Sequence, residues 1–506
     1  MAPFFILKYI RIDGLKGFFL GFFLGFFLGL FWLPGAACAH GFAQRYDLPV
    51  PLSLYLTGAA ITVAVSFLVI TLFVRHGVVL YHYPRWKLPR LFAVSLTLKK
   101  SWFFLWRSVS IFVLILILVA GWWGIQSPFK NIVPTLVWVI WWVGFAYCSG
   151  LLGDLWSLLN PWKNSFLLFE WLFRRYLGVD SISFYVALPR WVGVWPALIF
   201  FSIFTWVELV WARSDEPSAI AMLVLTYSLL TWTGMVLFGS RQWLQSGEAF
   251  TWVFGLLSRF SLTEKDGKDQ RWYLRPFGLG LLVESPVSKS LVAFVLFMLS
   301  VVTFDGFMAT PFWVDLVGWA IYADSMRPAL LMLQSVFGDA VAVITTLGFL
   351  AFPVLFCGIF LLCCSLMRFL AGPLSSPSRM EMAGYFVMTL IPIALAYHLA
   401  HYMSFLLIVG QYMIPLVSDP FGFGWNLFGT KHYFVDIGIV NARFVWISSV
   451  IVIVTGHIIA VFLSHVMAQR VFEYQRQVIM SQIPMLVLMV GYTMVSLWIL
   501  AQPIVE

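Results

Sequence analysis

The chain has 506 residues, of which 61% are apolar and only 10% charged, with a mean hydropathy of +0.92. This excludes a water-soluble globular domain and fits an all-α polytopic membrane protein. The net charge of +9 is spread over loops rather than gathered in one patch, so it implies contact with anionic lipid heads and not nucleic-acid binding.

The N-terminal segment carries Lys8, Arg11 and Lys16 and continues as GFFLGFFLGFFLGLFWLPGAACA. A basic start, an apolar stretch and the small residues Ala37 and Ala39 have the layout of a signal peptide, whose cleavage would leave His40 as the new N-terminus. The glycines at 17, 21, 25 and 29 equally suit a retained helix packed against a neighbour. Residues 1–39 are therefore read as a signal peptide or uncleaved first helix, and 40–506 as a single multi-span membrane domain.

Ten runs are long and apolar enough to cross a bilayer, near 52–74, 109–126, 132–152, 191–212, 218–239, 288–308, 340–366, 383–409, 445–468 and 480–501. Lys and Arg concentrate in alternate connections, for example Arg85, Lys87, Arg90, Lys99 and Lys100, or Arg259, Lys265, Lys268, Arg271 and Arg275. Because such residues mark the cytoplasmic side, the bias predicts a multi-pass cell (inner) membrane protein with His40 and Glu506 outside, on the periplasmic side. Residues 160–176 and 241–260 mix aromatics with charges and read as interfacial helices on the cytoplasmic face. Asp154, Asn160 and Glu248, beside turn signals, read as helix caps and partners of basic side chains. The five cysteines imply no disulfide framework.

Ionisable groups inside spans mark the candidate site, since burying them in lipid is costly unless they are paired or functional. His398 and His401, three apart on one helix, and His457 on another are expected at about 12–18 Å below the outer face. Three neutral imidazoles suit a divalent metal such as Zn or Cu with an open position for water or substrate. Two at equal depth also suit the axial positions of haem b, and interhelical hydrogen bonding is the plainer reading. Asp305 in FDGF is expected not far above His401, as a further ligand or an orienting partner. Glu208 ranks lower because Arg213 is near enough to pair with it, and His465 reads as an interfacial side chain snorkelling toward water. A free N-terminal His40 would chelate Cu(II) through its amine and imidazole, with His432 and Asp436 on the same surface. Walker A, G-x-S-x-G, H-E-x-x-H and C-x-x-C motifs do not occur.

Several stretches together resemble a family of polytopic membrane proteins known as fenitrothion hydrolase-like: AHGFAQRYDLPVPLSLYL at 39–56, GDLWSLLNPWKN at 153–164, GEAFTWVFGLLSRFS at 247–261, RPFGLGLL at 275–282, FDGF at 304–307 and GHIIAVFLSHVMA at 456–468. The resemblance implies a membrane-bound organophosphorus hydrolase that cleaves the P–O–aryl bond of apolar phosphorothioate triesters, together with a second membrane subunit. A metal on His398, His401 and His457 would activate water for that reaction, with Asp305 as base or orienting group and Tyr402 as donor to the leaving phenolate. The competing expectation is a metal- or haem-binding subunit of a membrane redox or transport complex.

Overall fold

In the computed structural model, residues 48–73, 85–87, 100–266, 271–337, 339–372 and 376–505 are described. The signal-like segment, His40, His76, His82 and Glu506 lie outside them. Among the described residues ten helices are long and apolar enough to span a membrane, and the chain is an all-α polytopic bundle. The spans are α1 (Leu52–Phe73), α2 (Lys100–Trp123), α3 (Ile132–Leu151), α5 (Trp195–Leu209), α6 (Pro217–Phe238), α8 (Lys289–Met308), α9 (Ala340–Ala371), α10 (Ile391–Val409), α11 (Ala442–Val471) and α12 (Gln475–Val505). Two further helices, α4 (Pro161–Leu177) and α7 (Ala249–Ser258), lie between spans in sequence. Each matches an expected apolar run, because about 20 apolar residues in a row is a local property that needs no tertiary contact to be read.

Burial ranks the spans. The apolar window of α8 is 72% buried, against 17% for α1 and 22% for α9, so α8 is the central helix and the other two face lipid. It packs on α9, α10 and α5, while α11 packs on both α10 and α12. The α10–α11 contact is close because Gly456 lies against Ala396 and the Pro392 carbonyl, leaving no room for a Cβ. Small residues allow such backbone approach where lipid removes the hydrophobic drive between helices.

The segment expected along the interface at 241–260 is instead partly inside the core. Ala249, Phe250, Val253, Phe254, Leu256 and Leu257 are buried, and α7 packs against α5, the 145–151 turn of α3 and the short helix Trp156–Leu159. What permits this is Glu248, itself fully buried. Its carboxylate accepts from Phe250 N at 3.1 Å, Thr251 N at 2.7 Å, Tyr227 Oη at 2.8 Å, Asn160 Nδ2 at 3.0 Å and Trp156 Nε1 at 3.2 Å, as well as from the Thr251 hydroxyl. The expected caps at Asn160 and Asp154 are present, on Lys163 N and Ser157 N. α4 ends in the basic pair Arg174 and Arg175, beside the αL glycine Gly178.

A small sheet of order β1-β3-β2 (Trp86–Lys87, Trp272–Leu274, Thr263–Lys265) joins two of the connections rich in basic residues. Arg275, buried, pairs with Glu264 at 3.3 Å and donates to the Ser258 and Arg259 carbonyls at the end of α7. On this basic face, burial and then the nearby Arg107 push the Lys163 ammonium below the ordinary lysine range.

Candidate functional site

Asp305, three residues before the end of α8, is met by two side chains of α10. Tyr402 Oη donates to Asp305 Oδ2 at 2.5 Å, and His401 Nε2 stands 3.0 Å from the same oxygen. A carboxylate only accepts, so an ionised Asp305 fixes the His401 proton on Nε2 and leaves Nδ1 as the basic nitrogen. The Asp305 and His401 side chains each retain 19% exposure, so the centre is reachable and not sealed. Tyr397 stacks on His401 with ring centroids 5.9 Å apart, and Glu208 on α5 lies close enough to interact electrostatically with both Asp305 and Tyr402.

Glu208 is thus a member of this centre that the sequence ranked too low. Arg213, its supposed partner, pairs with Glu216 at 2.6 Å, a shorter-range i, i+3 match that leaves Glu208 facing the bundle interior.

His398 points elsewhere. It is buried among Trp142 (5.8 Å between ring centroids), Tyr147 (6.0 Å) and Tyr402 (4.7 Å), beside the Val143 carbonyl. That carbonyl belongs to the stretch Thr135–Gly144 of α3, which winds as a π-helix, a widened turn that recurs at functional sites. His457 meets Tyr492 at 5.8 Å and the Ile453 carbonyl at 2.9 Å.

The three histidines share neither depth nor direction: Ala400 meets Ser449 while Pro392 and Ala396 meet Gly456, so His457 stands level with the start of α10 and His401 about 10 Å further along it. Among the described residues no group of three or more His, Cys, Asp or Glu is placed to hold a metal ion. The reason is rotational: Pro392, Ala396 and Ala400, spaced four apart, form the side of α10 that faces α11, as their contacts with Gly456 and Ser449 show. At 100° per residue His398 lies about 200° from Ala396 and His401 about 100° from Ala400, so neither is directed at His457. The donor set does not fit the expected three-histidine Zn or Cu site, and the two candidate haem b ligands, His398 and His457, face different surroundings. His40 lies outside the described residues. His432 is an exposed loop residue, and Asp436 caps the turn at Gly438. His465 is fully buried and bonded to Gln469 Nε2 at 3.1 Å, not snorkelling.

One aromatic layer from the polar centre lies an apolar cavity of about 90 Å³, walled by Trp138, Trp141, Phe204, Val207, Tyr227 and Phe250 among others. Phe204 in its wall packs on Trp142 at 4.9 Å, and Trp142 on His398. The arrangement sets an acid–base centre of one or two carboxylates, an imidazole and a phenol beside space suited to an apolar group. Comparison of the chain with protein-family models, with curated proteins and with solved structures finds no match.

Proposed function

We propose that this polytopic membrane protein is a hydrolase of apolar aryl phosphotriesters, phosphorothioates included, working at the Asp305–His401–Tyr402 centre. The observation that carries the reading is the bidentate hold on Asp305 Oδ2 by an imidazole and a phenol inside a membrane bundle. The resemblance of the FDGF and GEAF stretches to fenitrothion hydrolase-like proteins points the same way. Asp305 orients His401, and His401 Nδ1 takes a proton from water as the water oxygen bonds to phosphorus. The P–O–aryl bond breaks, the phenolate takes the Tyr402 proton, and Tyr402 is reprotonated from His401 through Asp305. Water and triester become diester and phenol, and because the diester acid ionises at neutral pH one proton is left over, which His401 takes up once Tyr402 has been reprotonated. The apolar cavity offers a place for the lipophilic part of the substrate, which would arrive through the bilayer.

In this reading the basic loops are cytoplasmic, the centre opens toward the outer side of the inner membrane, and a second membrane subunit is a plausible companion. The test is release of nitrophenolate from a p-nitrophenyl phosphorothioate triester by reconstituted protein. Hydrolysis abolished in Asp305→Asn supports the assignment, and hydrolysis unchanged at equal membrane levels ends it.

A second reading, a subunit of a membrane redox or transport complex, draws on His398 and His457. Each keeps a buried Nε2 without a protein partner, the state of an imidazole available to a ligand. A Soret band in protein that lacks triester hydrolysis would favour it.

A further inference from the structure

Behind the Asp305 centre, two buried polar atoms without protein partners lie near one tyrosine. His457 Nδ1 lies 2.9 Å from the Ile453 carbonyl. A carbonyl can only accept, so the ring proton is on Nδ1 and Nε2 carries a bare lone pair. That Nε2 is buried and has no donor, although the ring sits 5.8 Å from the ring of Tyr492. Tyr397 Oη is likewise buried without a partner and rests on Gly306, where a Cβ would collide with it. Ser496 Oγ, one helical turn from Tyr492 on α12, is buried beside the Tyr492 hydroxyl. The Tyr492 hydroxyl is bonded to Thr303, three residues before Gly306 on the same side of α8. Tyr397 and Tyr492 interact electrostatically, and Tyr397 in turn stacks on His401.

A buried polar group left unpaired is costly, because it has lost its water without gaining a partner. Two near a single tyrosine are accounted for together if the interface of α8, α10, α11 and α12 is hydrated, because internal water takes two to four such partners. Toward the basic face the same interface closes: Met485 and Met489 are buried between Tyr492 and the next polar layer, where Ser464 bonds Gln482 at 3.0 Å.

We propose that His457 is the inner terminus of a hydrated proton relay that runs from the Asp305–His401 centre through Tyr397 and Tyr492, sealed from the basic face by Met485 and Met489. A proton leaving His401 is passed by way of water and the Tyr397 and Tyr492 hydroxyls to His457 Nε2. Each hydroxyl gives one proton and receives one, so the net change is one proton moved from His401 to His457. His457 is thus a positioning and proton-storing residue, not one that touches substrate. The relay rests on reading the Asp305 centre as an acid–base site; the hydration of the chamber does not.

The first measurement is hydroxyl-radical footprinting by brief X-ray pulses on the full chain in detergent, which marks side chains beside internal water. Tyr397 and Tyr492 are expected to oxidise at rates comparable to the exposed Tyr322, with the dry core residues Phe294 and Phe386 unmarked. Labelling as low as at Phe386 would overturn the chamber. The second is infrared detection of the His457 ring bands, identified with His457→Phe, after a rapid pH step. Tyr492→Phe is expected to slow protonation of His457 several-fold with thermal stability retained, and an unchanged rate would overturn the relay. Neither readout needs turnover, so loss of triester hydrolysis as a finding would remove the proposed reaction alone.

Discussion

Tyr402 donates to Asp305 across the α8–α10 interface at 2.5 Å, and it does so onto the oxygen that also receives His401. Two donors on one carboxylate oxygen hold its direction as well as its charge, and a hydrogen bond to a charged group contributes about 1.5–3 kcal/mol. Tyr402→Phe keeps the ring and deletes only the hydroxyl. Its expected effect is a fall in kcat of about 10–100-fold with KM little changed, measured as nitrophenolate release by reconstituted protein. A rise confined to KM would place Tyr402 in binding and not in proton transfer.

Glu248 binds α7 to the short helix Trp156–Leu159, α4 and α6 through donors on all sides, and Glu248→Ala strands several of them in the core. The expected loss is about 3 kcal/mol or more, seen as a lower Tm in detergent and reduced membrane levels. Glu248→Gln fares little better, since its amide nitrogen must face donors such as Trp156 Nε1 and Asn160 Nδ2. A variant as stable as the native chain would show that these groups find other partners.

The ten spans were legible because hydrophobic length is written locally. The relative depth of His398 and His401 was legible too, since rise along a helix is fixed, but the level of His457 depends on how α11 slides past α10. Their azimuth was not: which side of α10 faces α11 is decided by Ala396 and Ala400 meeting Gly456 and Ser449, a pairing between distant parts of the chain. The signal was present, in that four-residue spacing of small side chains on α10 and a lone mid-span glycine on α11 are what a close crossing requires. The juxtaposition of Asp305 with His401 and Tyr402 agrees with the depth argument. The insertion of α7 could not be read from 241–260 alone, because Glu248 looks like an interfacial charge until Tyr227 and Asn160 are seen to surround it. The π-helical turn at Thr135–Gly144 also leaves no local mark, as its Trp- and Val-rich sequence suits an ordinary α-helix equally well.

Gly456→Val tests the crossing directly. The added side chain meets Ala396 and the Pro392 carbonyl, backbone that cannot move aside without parting α10 from α11. Overpacking of this kind costs about 1–3 kcal/mol, and it would also displace the adjacent His457. A lowered Tm is expected, whereas Gly358→Val, at a site with nothing near its missing Cβ, serves as the control and is expected to be neutral.

The last prediction concerns the loop over the face opposite the basic one. Gln411, buried, holds residue 436 as a neighbouring strand would: its Nε2 donates to the Asp436 carbonyl at 2.9 Å while its Oε1 accepts from Asp436 N at 3.0 Å and from Tyr433 Oη at 2.9 Å. These bonds tie the 433–436 stretch to the end of α10, about 15 Å along the chain's rise from His401. Gln411→Ala removes all three at once. Exchange of the Asp436 amide with deuterium should then accelerate by about tenfold or more, the equivalent of roughly 1.4 kcal/mol or more of lost local stability, while Tm shifts little because the core helices are untouched. If the loop also governs entry to the Asp305 centre, the same variant changes KM for the triester without changing kcat. Unaltered exchange at Asp436 would mean that the loop is held by other contacts and that Gln411 is incidental to it.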